Sequence, residues 1–145
     1  MDPKKVLIIE DNPDAKLVYQ HGFRPHRGIH FQIVVDARRA KGWLIEHPDT
    51  ALVVVSTSKA DENQRATQET INIATLILHI HNQEKPVPLI LVNAYEGICQ
   101  MYQECARSEY THVVDDGRKE KVPHLALKML GLLPAKDPDL DRDDG

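Results

Sequence analysis

Val6-Leu7-Ile8-Ile9-Glu10-Asp11 is a short, uninterrupted apolar run that ends in two acidic residues. An apolar run of this length, bounded by turn-forming residues, is typical of a β-strand buried on both faces. The next residues, 12–14, read Asn-Pro-Asp and form a helix-start signal with proline in the first turn. The stretch therefore predicts a buried strand that leads directly into a helix.

The same unit recurs along the chain. Further strands are predicted at 30–35, 51–55, 87–92 and 111–114, and helices at 15–23, 37–46, 62–83, 97–107 and 122–133. Strands that alternate with helices indicate a parallel sheet, and right-handed crossovers place helices on both of its faces. The predicted fold class is α/β, a doubly wound (βα)5 three-layer sandwich around a five-stranded parallel sheet.

Length and composition limit the organisation of the chain. The 145 residues, 41% of them hydrophobic, suit one domain, which we assign to residues 1–133. Residues 134–145 contain five aspartates and few apolar side chains, so we expect an acidic disordered tail.

Charge and hydropathy exclude several classes of function. A net charge of −4 leaves no basic surplus for many phosphate contacts, so we expect no direct nucleic-acid binding. No apolar run approaches the roughly 20 residues of a membrane helix, and the N-terminus turns acidic too soon for a signal peptide. The two cysteines, Cys99 and Cys105, fit neither a disulfide framework nor a zinc site. We expect a cytoplasmic protein that does not contact a membrane.

Polar side chains follow four of the predicted strands, at the edge where α/β sheets bind ligands. Glu10 and Asp11 follow the first strand and Ser56 follows the third. Asn93 follows the fourth strand, and Asp115-Asp116 follows the fifth. These residues are the candidate site. Glu10 and Asp11 also have a simpler interpretation as helix-capping residues, because negative charge is favourable near the N-terminus of a helix.

With this layout, the chain resembles the CheY-like receiver domains of response regulators over roughly residues 4–133. The resemblance rests on the strand order, the spacing of the elements and the acidic pair in Val6-Leu7-Ile8-Ile9-Glu10-Asp11. It implies a flavodoxin-like fold and a role in bacterial two-component-type signal transduction. It also implies a metal-binding acidic pair, a phosphoryl-accepting Asp, a Ser or Thr and a Lys.

Three of these reactive positions depart from the family pattern. The acidic pair matches Glu10 and Asp11, but the acceptor position falls on Ser56 and the hydroxyl position on Asn93. The Lys position falls on Asp116, or on Asp115 if the alignment shifts by one residue. A serine hydroxyl needs a base before it can attack phosphorus, and an aspartate in place of lysine repels an incoming phosphoryl group. Two carboxylates alone leave at most a weak Mg²⁺ site.

These departures favour a pseudo-receiver, which is not an enzyme and acts by phosphorylation-independent protein–protein interaction. Its expected partners are signalling proteins that dock on the fourth helix, fifth strand and fifth helix. The long third helix, with Ile77, Leu78 and Ile80 near its end, is a second docking or homodimer surface. We expect no cofactor other than a weakly bound Mg²⁺ ion. Two alternatives stay open: a working receiver with a displaced acceptor such as Asp61, and a flavodoxin-like domain that binds a small ligand.

Overall fold

A computed structural model describes residues 2–56 and 65–133 of the chain. Within these residues five strands alternate with five helices. The strands are Lys4–Ile9 (β1), Ile29–Val34 (β2), Thr50–Val55 (β3), Leu89–Asn93 (β4) and Thr111–Asp115 (β5). The helices are Pro13–Phe23 (α1), Ala37–Glu46 (α2), Gln68–His81 (α3), Glu96–Cys105 (α4) and Val122–Met129 (α5). The 3₁₀ segments Ser108–Tyr110 and Asp116–Lys121 precede β5 and α5.

The strands form one parallel sheet in the order β2-β1-β3-β4-β5. The predicted (βα)5 doubly wound fold is therefore confirmed. Because the strand order reverses between β1 and β3, the carboxyl ends of these two strands are adjacent. That adjacency brings the residues after β1 next to the residue after β3.

Alternate residues of each central strand belong to two separate cores, since successive side chains point to opposite faces of a sheet. Leu7, Val53 and Leu91 pack beneath α2, α3 and α4, while Ile8, Val54 and Ile90 pack beneath α1 and α5. Both faces of the sheet are covered, which is why these strands read as continuous apolar runs. None of the helices in the described part of the chain is long and apolar enough to cross a membrane.

Helix α3 differs from its prediction at both ends. Its N-cap is Thr67, whose side chain accepts from the Thr70 backbone N–H while the Thr70 hydroxyl accepts from the Thr67 N–H. This reciprocal pair starts the helix at residue 68, and residues 65–67 are not helical. The prediction that the helix runs from residue 62 to residue 83 is therefore wrong at its start, and the helix also ends two residues earlier, at His81. Ile77 and Ile80, expected on a docking surface, are buried in the core, and only Leu78 of the three is exposed.

Helices α4 and α5 are shorter than predicted, for identifiable reasons. The backbone N–H of Arg107 donates to Nδ1 of the buried His81 at 2.7 Å, which takes it away from helix α4. Gly131 adopts a left-handed φ of 69°, and the N–H of Leu132 bonds the carbonyl of Leu127. This C-terminal capping arrangement ends α5, where apolar spacing alone predicted helix up to residue 133.

Because α1 and α5 pack closely at Gly22, this position does not have room for a larger side chain. A Cβ at Gly22 would lie 2.8 Å from the Cβ of Pro123, which a rigid ring cannot relieve. We expect Gly22→Ala to lower the free energy of unfolding by about 1–3 kcal/mol, the usual effect of overpacking. Chemical denaturation followed by circular dichroism measures it.

Gly42→Ala in α2 is the matched control, because a Cβ there meets no atom within 4 Å. Ala in an exposed helix is favoured over Gly by up to about 1 kcal/mol, so this variant should be neutral or stabilised. Equal effects of the two substitutions would contradict the packing argument.

Candidate functional site

The carboxyl edge of the sheet holds a chain of three buried polar side chains. Glu10 and Ser56 follow β1 and β3 and are only 2% and 4% exposed. The Ser56 hydroxyl donates to Oε1 of Glu10 at 2.7 Å, and the Tyr19 hydroxyl of α1 forms a short hydrogen bond with the Ser56 hydroxyl. An ionised carboxylate only accepts, so Ser56 donates to Glu10 and Tyr19 donates to Ser56.

The second oxygen of Glu10 is also occupied. Its Oε2 accepts the backbone N–H groups of Asp11 at 3.0 Å and Asn12 at 3.3 Å. Glu10 thus fixes the turn between β1 and α1 from within. The helix cap is a different residue, since the Asn12 side chain accepts from the N–H groups of Asp14 and Ala15. The capping role considered for Glu10 and Asp11 therefore belongs to Asn12.

Burial raises the pKa of Glu10 above its ordinary value, because desolvation disfavours the charged form. The hydrogen bonds from Ser56 and from the two backbone N–H groups, and the charge of Lys119, partly offset this rise. Burial also raises the pKa of Tyr19, and the negative charges of Glu10 and Asp116 add to the effect. Tyr19 therefore stays a neutral hydrogen-bond donor at neutral pH.

The 3₁₀ segment after β5 supplies a cation to this edge. Lys119 lies 3.0 Å from Asp116, and its charge acts on Glu10. At the position where receivers carry lysine this chain has an aspartate, and Lys119 three residues later places a positive charge beside it. The i,i+3 spacing of Asp116 and Lys119 was the available signal for this pairing. Asp115 instead accepts the N–H of Gly117 and starts the 3₁₀ segment.

The other predicted site residues do not join the buried chain. Asn93 is half-buried at the end of β4 and, in the described residues, makes no side-chain hydrogen bond. Asp11 is exposed. The suggested displaced acceptor, Asp61, lies outside the described residues. Tyr19 was missed altogether, because within α1 it has the spacing of an ordinary core aromatic residue.

Within the buried chain of Tyr19, Ser56 and Glu10, no side-chain oxygen is left free to bind a Mg²⁺ ion. Such an ion needs several free carboxylate or carbonyl oxygens in near-octahedral geometry. Both oxygens of Glu10 already accept hydrogen bonds, and Ser56 offers only a hydroxyl that is engaged on both sides. In residues 2–56 and 65–133, no group of three His, Cys, Asp or Glu side chains is arranged to hold a metal.

Comparison with known proteins identifies the fold. No protein-family model and no curated protein sequence matches the chain. The signal receiver domain of a signal transduction histidine kinase from Syntrophus aciditrophicus is similar in structure, with a TM-score of 0.59 and 17% identity over 92% of this chain and 96% of that one. The Mn²⁺-bound form of response regulator Rcp1 gives a TM-score of 0.58 and 14% identity over 92% of this chain and 98% of that one. The chain therefore has the receiver fold.

Proposed function

We propose that this chain is a pseudo-receiver, a signalling domain of receiver fold that binds other proteins and does not accept a phosphoryl group. The observation that carries the proposal is the buried chain Tyr19–Ser56–Glu10. It fills the position after β3 where the resemblance to receivers implies a phosphoryl-accepting carboxylate.

The chemistry of Ser56 supports this proposal. Attack on phosphorus needs an accessible oxygen that is in line with the leaving group. The Ser56 oxygen is buried, its proton is directed at Glu10 and one of its lone pairs accepts from Tyr19. Using Ser56 as a nucleophile would break both hydrogen bonds and expose the Glu10 carboxylate. We therefore assign the site a structural role and the chain no catalytic one.

A domain without this chemistry has to act through its surface. We propose signalling proteins as its partners, with the surface of α4, β5 and the segment 118–128 as one docking face. Val113 on β5 is 44% exposed, and the neighbouring His112 is exposed too. Strand β5 is an edge strand with one paired neighbour, which leaves its outer edge open to a partner. Homodimerisation through this face is a variant of the same proposal.

Incubation with acetyl phosphate and Mg²⁺, followed by intact-mass measurement, tests the proposal directly. We expect no added phosphoryl group, because the acceptor position is taken by Ser56, whose buried hydroxyl is held between Glu10 and Tyr19. A receiver domain that carries the acceptor Asp serves as the control and should be labelled. A labile adduct on this chain would contradict the proposal, and peptide mapping would then examine Asp61 first.

Two hydroxyl deletions test whether the buried chain is structural. Ser56→Ala leaves Oε1 of Glu10 and the Tyr19 hydroxyl without their partner, so we expect the free energy of unfolding to fall by about 2–4 kcal/mol. Tyr19→Phe removes a donor but leaves Ser56 bonded to Glu10, so we expect a loss of about 1 kcal/mol. Urea denaturation measures both.

The double variant should cost less than the sum of the two single changes, because the residues belong to one network. If Tyr19→Phe proves more damaging than Ser56→Ala, the assigned direction of hydrogen bonding is incorrect.

The raised pKa of Glu10 predicts a pH dependence with a definite sign. In the range just above the ordinary Glu pKa of 4.5 the folded chain holds this proton more tightly than the unfolded chain, so stability falls as pH rises. Protonated Glu10 can donate to Ser56, which then donates to Tyr19, so the chain of hydrogen bonds reverses without breaking.

Glu10→Gln has no titrating group here and can donate from its amide to Ser56 in the same way. We expect the stability of the wild-type chain relative to Glu10→Gln to fall as pH rises above 4.5 and then to level off. Unfolding free energies measured across this range test the sign. A relative stability that rises with pH would show that Glu10 is held as a stabilised carboxylate.

A further inference from the structure

A continuous groove runs between α2 and α3, on the face of the sheet opposite α1 and α5. A cavity of about 420 Å³ includes Arg38, Lys41 and His79 in its lining. A second cavity of about 600 Å³, at the C-terminal ends of the two helices, includes His47, Lys85 and again His79. Because His79 lines both, the cavities form one groove along the helix pair.

Positive charge predominates in the lining of this groove. Arg38, Lys41 and Lys85 line it, against the single carboxylate of Glu84. Among the residues the structure describes, none of the three cations forms an ion pair. Of the neighbouring carboxylates, Asp36 pairs with Arg39, and Glu69 accepts the backbone N–H of Ala37. With three cationic side chains against the one carboxylate of Glu84, the lining of the groove has a net positive charge.

In the cavity of about 600 Å³, His47 supplies a polar ring that is held in place. Its ring stacks on Trp43 with 3.7 Å between ring centroids, and Trp43 is held by a 3.2 Å hydrogen bond from its indole N–H to Thr50. Nδ1 of His47 is buried without a partner. Because His47 also lines the cavity, its ring offers a ligand a polar contact there.

An apolar ridge on α3, formed by Ile71 and Leu78, lies outside the two cavities of the groove, and Leu78 also lines a third cavity with Cys105 and Arg107. Ile71 and Leu78 of α3 are 47% and 54% exposed, and with Thr75 between them they follow the i, i+4, i+7 spacing of one helix face. An exposed isoleucine and leucine on a helix that borders a cationic groove match a partner that carries both acidic and bulky apolar side chains.

We propose that the α2–α3 groove is a docking site for an acidic, amphipathic segment of a partner protein. The carboxylates of the segment would meet Arg38, Lys41 and Lys85, and its apolar side chains would cover Ile71 and Leu78. The inference rests on the proposed function, because it names the class of protein that the pseudo-receiver binds. Helix α3, with 14 residues, is about 21 Å long, which a partner helix of similar length can follow.

Protein is favoured over nucleic acid as the source of the negative charge. Among the described residues that line the two cavities there is no Phe, Tyr or Trp to stack on bases, and the ring of His47 is already stacked on Trp43. The chain as a whole carries a net charge of −4, which opposes binding of a long polyanion.

Fluorescence anisotropy with the full chain tests the groove. The probe is a labelled helical peptide of about 14 residues with glutamates on one face and leucines on the other, the length of α3. We expect saturable binding that weakens as salt is raised, because exposed charge pairs are screened. Arg38→Glu combined with Lys41→Glu should weaken binding at least about tenfold, the equivalent of 1.4 kcal/mol.

Lys16→Glu combined with Arg24→Glu makes the same change of charge on α1 and its C-cap, on the opposite face of the sheet, and should alter binding less than about twofold, within the range of long-range screened effects. Leu78→Ser separately tests the apolar ridge and should also weaken binding. Circular dichroism checks that each variant is folded.

Equal weakening by the two charge-reversed pairs would overturn the proposal, since binding would then follow net charge alone. No binding at about 1 mM peptide, the weakest affinity worth assigning, would also overturn it, as would tighter binding of an RNA oligonucleotide of equal charge. Self-association abolished by Arg38→Glu and Lys41→Glu would replace the acidic partner with a second copy of the chain. If the chain accepted a phosphoryl group and still bound the peptide, the pseudo-receiver proposal would be contradicted while the proposal of a docking groove would stand.

Discussion

The buried carboxylate of Glu10 is the constraint on which the carboxyl edge of the sheet depends. A carboxylate removed from water is tolerated only when hydrogen bonds replace those of the solvent. Three parts of the chain provide them: the turn after β1, Ser56 after β3, and Tyr19 of α1 through Ser56. A second carboxylate at position 56 would share the same enclosed space with Glu10, and two like charges this close raise the cost of ionising both. Serine is compatible with a buried glutamate because it can donate to it.

The strand order and the two cores could be predicted from sequence because they follow from patterns that repeat along the chain. Each central strand is a run of β-branched and aliphatic residues, and burial on both faces is the arrangement such a run favours. Helix ends were less predictable, since they depend on single hydrogen bonds. Thr67 and Thr70 set the start of α3, and Gly131 ends α5, while apolar periodicity extends beyond both points. Exposure along α3 was also mispredicted: Ile77 and Ile80 were expected at the surface but lie in the core.

The candidate site was only partly predictable, for a different physical reason. Glu10 and Ser56 could be located because both follow strands that end at the same edge. Tyr19 could not, because its ring packs as a core residue and only its hydroxyl reaches the site. Lys119 was missed because its i,i+3 spacing signals a pairing with Asp116 but does not show that the 3₁₀ segment after β5 brings this pair to the site. Side chains that enter a site from helices are set by packing between layers, which one sequence shows only indirectly.

A receiver fold whose carboxyl edge is held by internal hydrogen bonds has consequences for how it can signal. A ligand shifts a conformational equilibrium only by binding the two states with different affinity. If the proposed pseudo-receiver role holds, the hydrogen-bonded chain of Tyr19, Ser56 and Glu10 does not respond to a phosphoryl group, and we expect the surfaces of the domain to be presented constitutively. Their occupancy would then follow partner concentration and ionic strength. The groove of Arg38, Lys41 and Lys85 fits that mode, because its net positive charge attracts an acidic partner in a salt-dependent manner without any change in the fold.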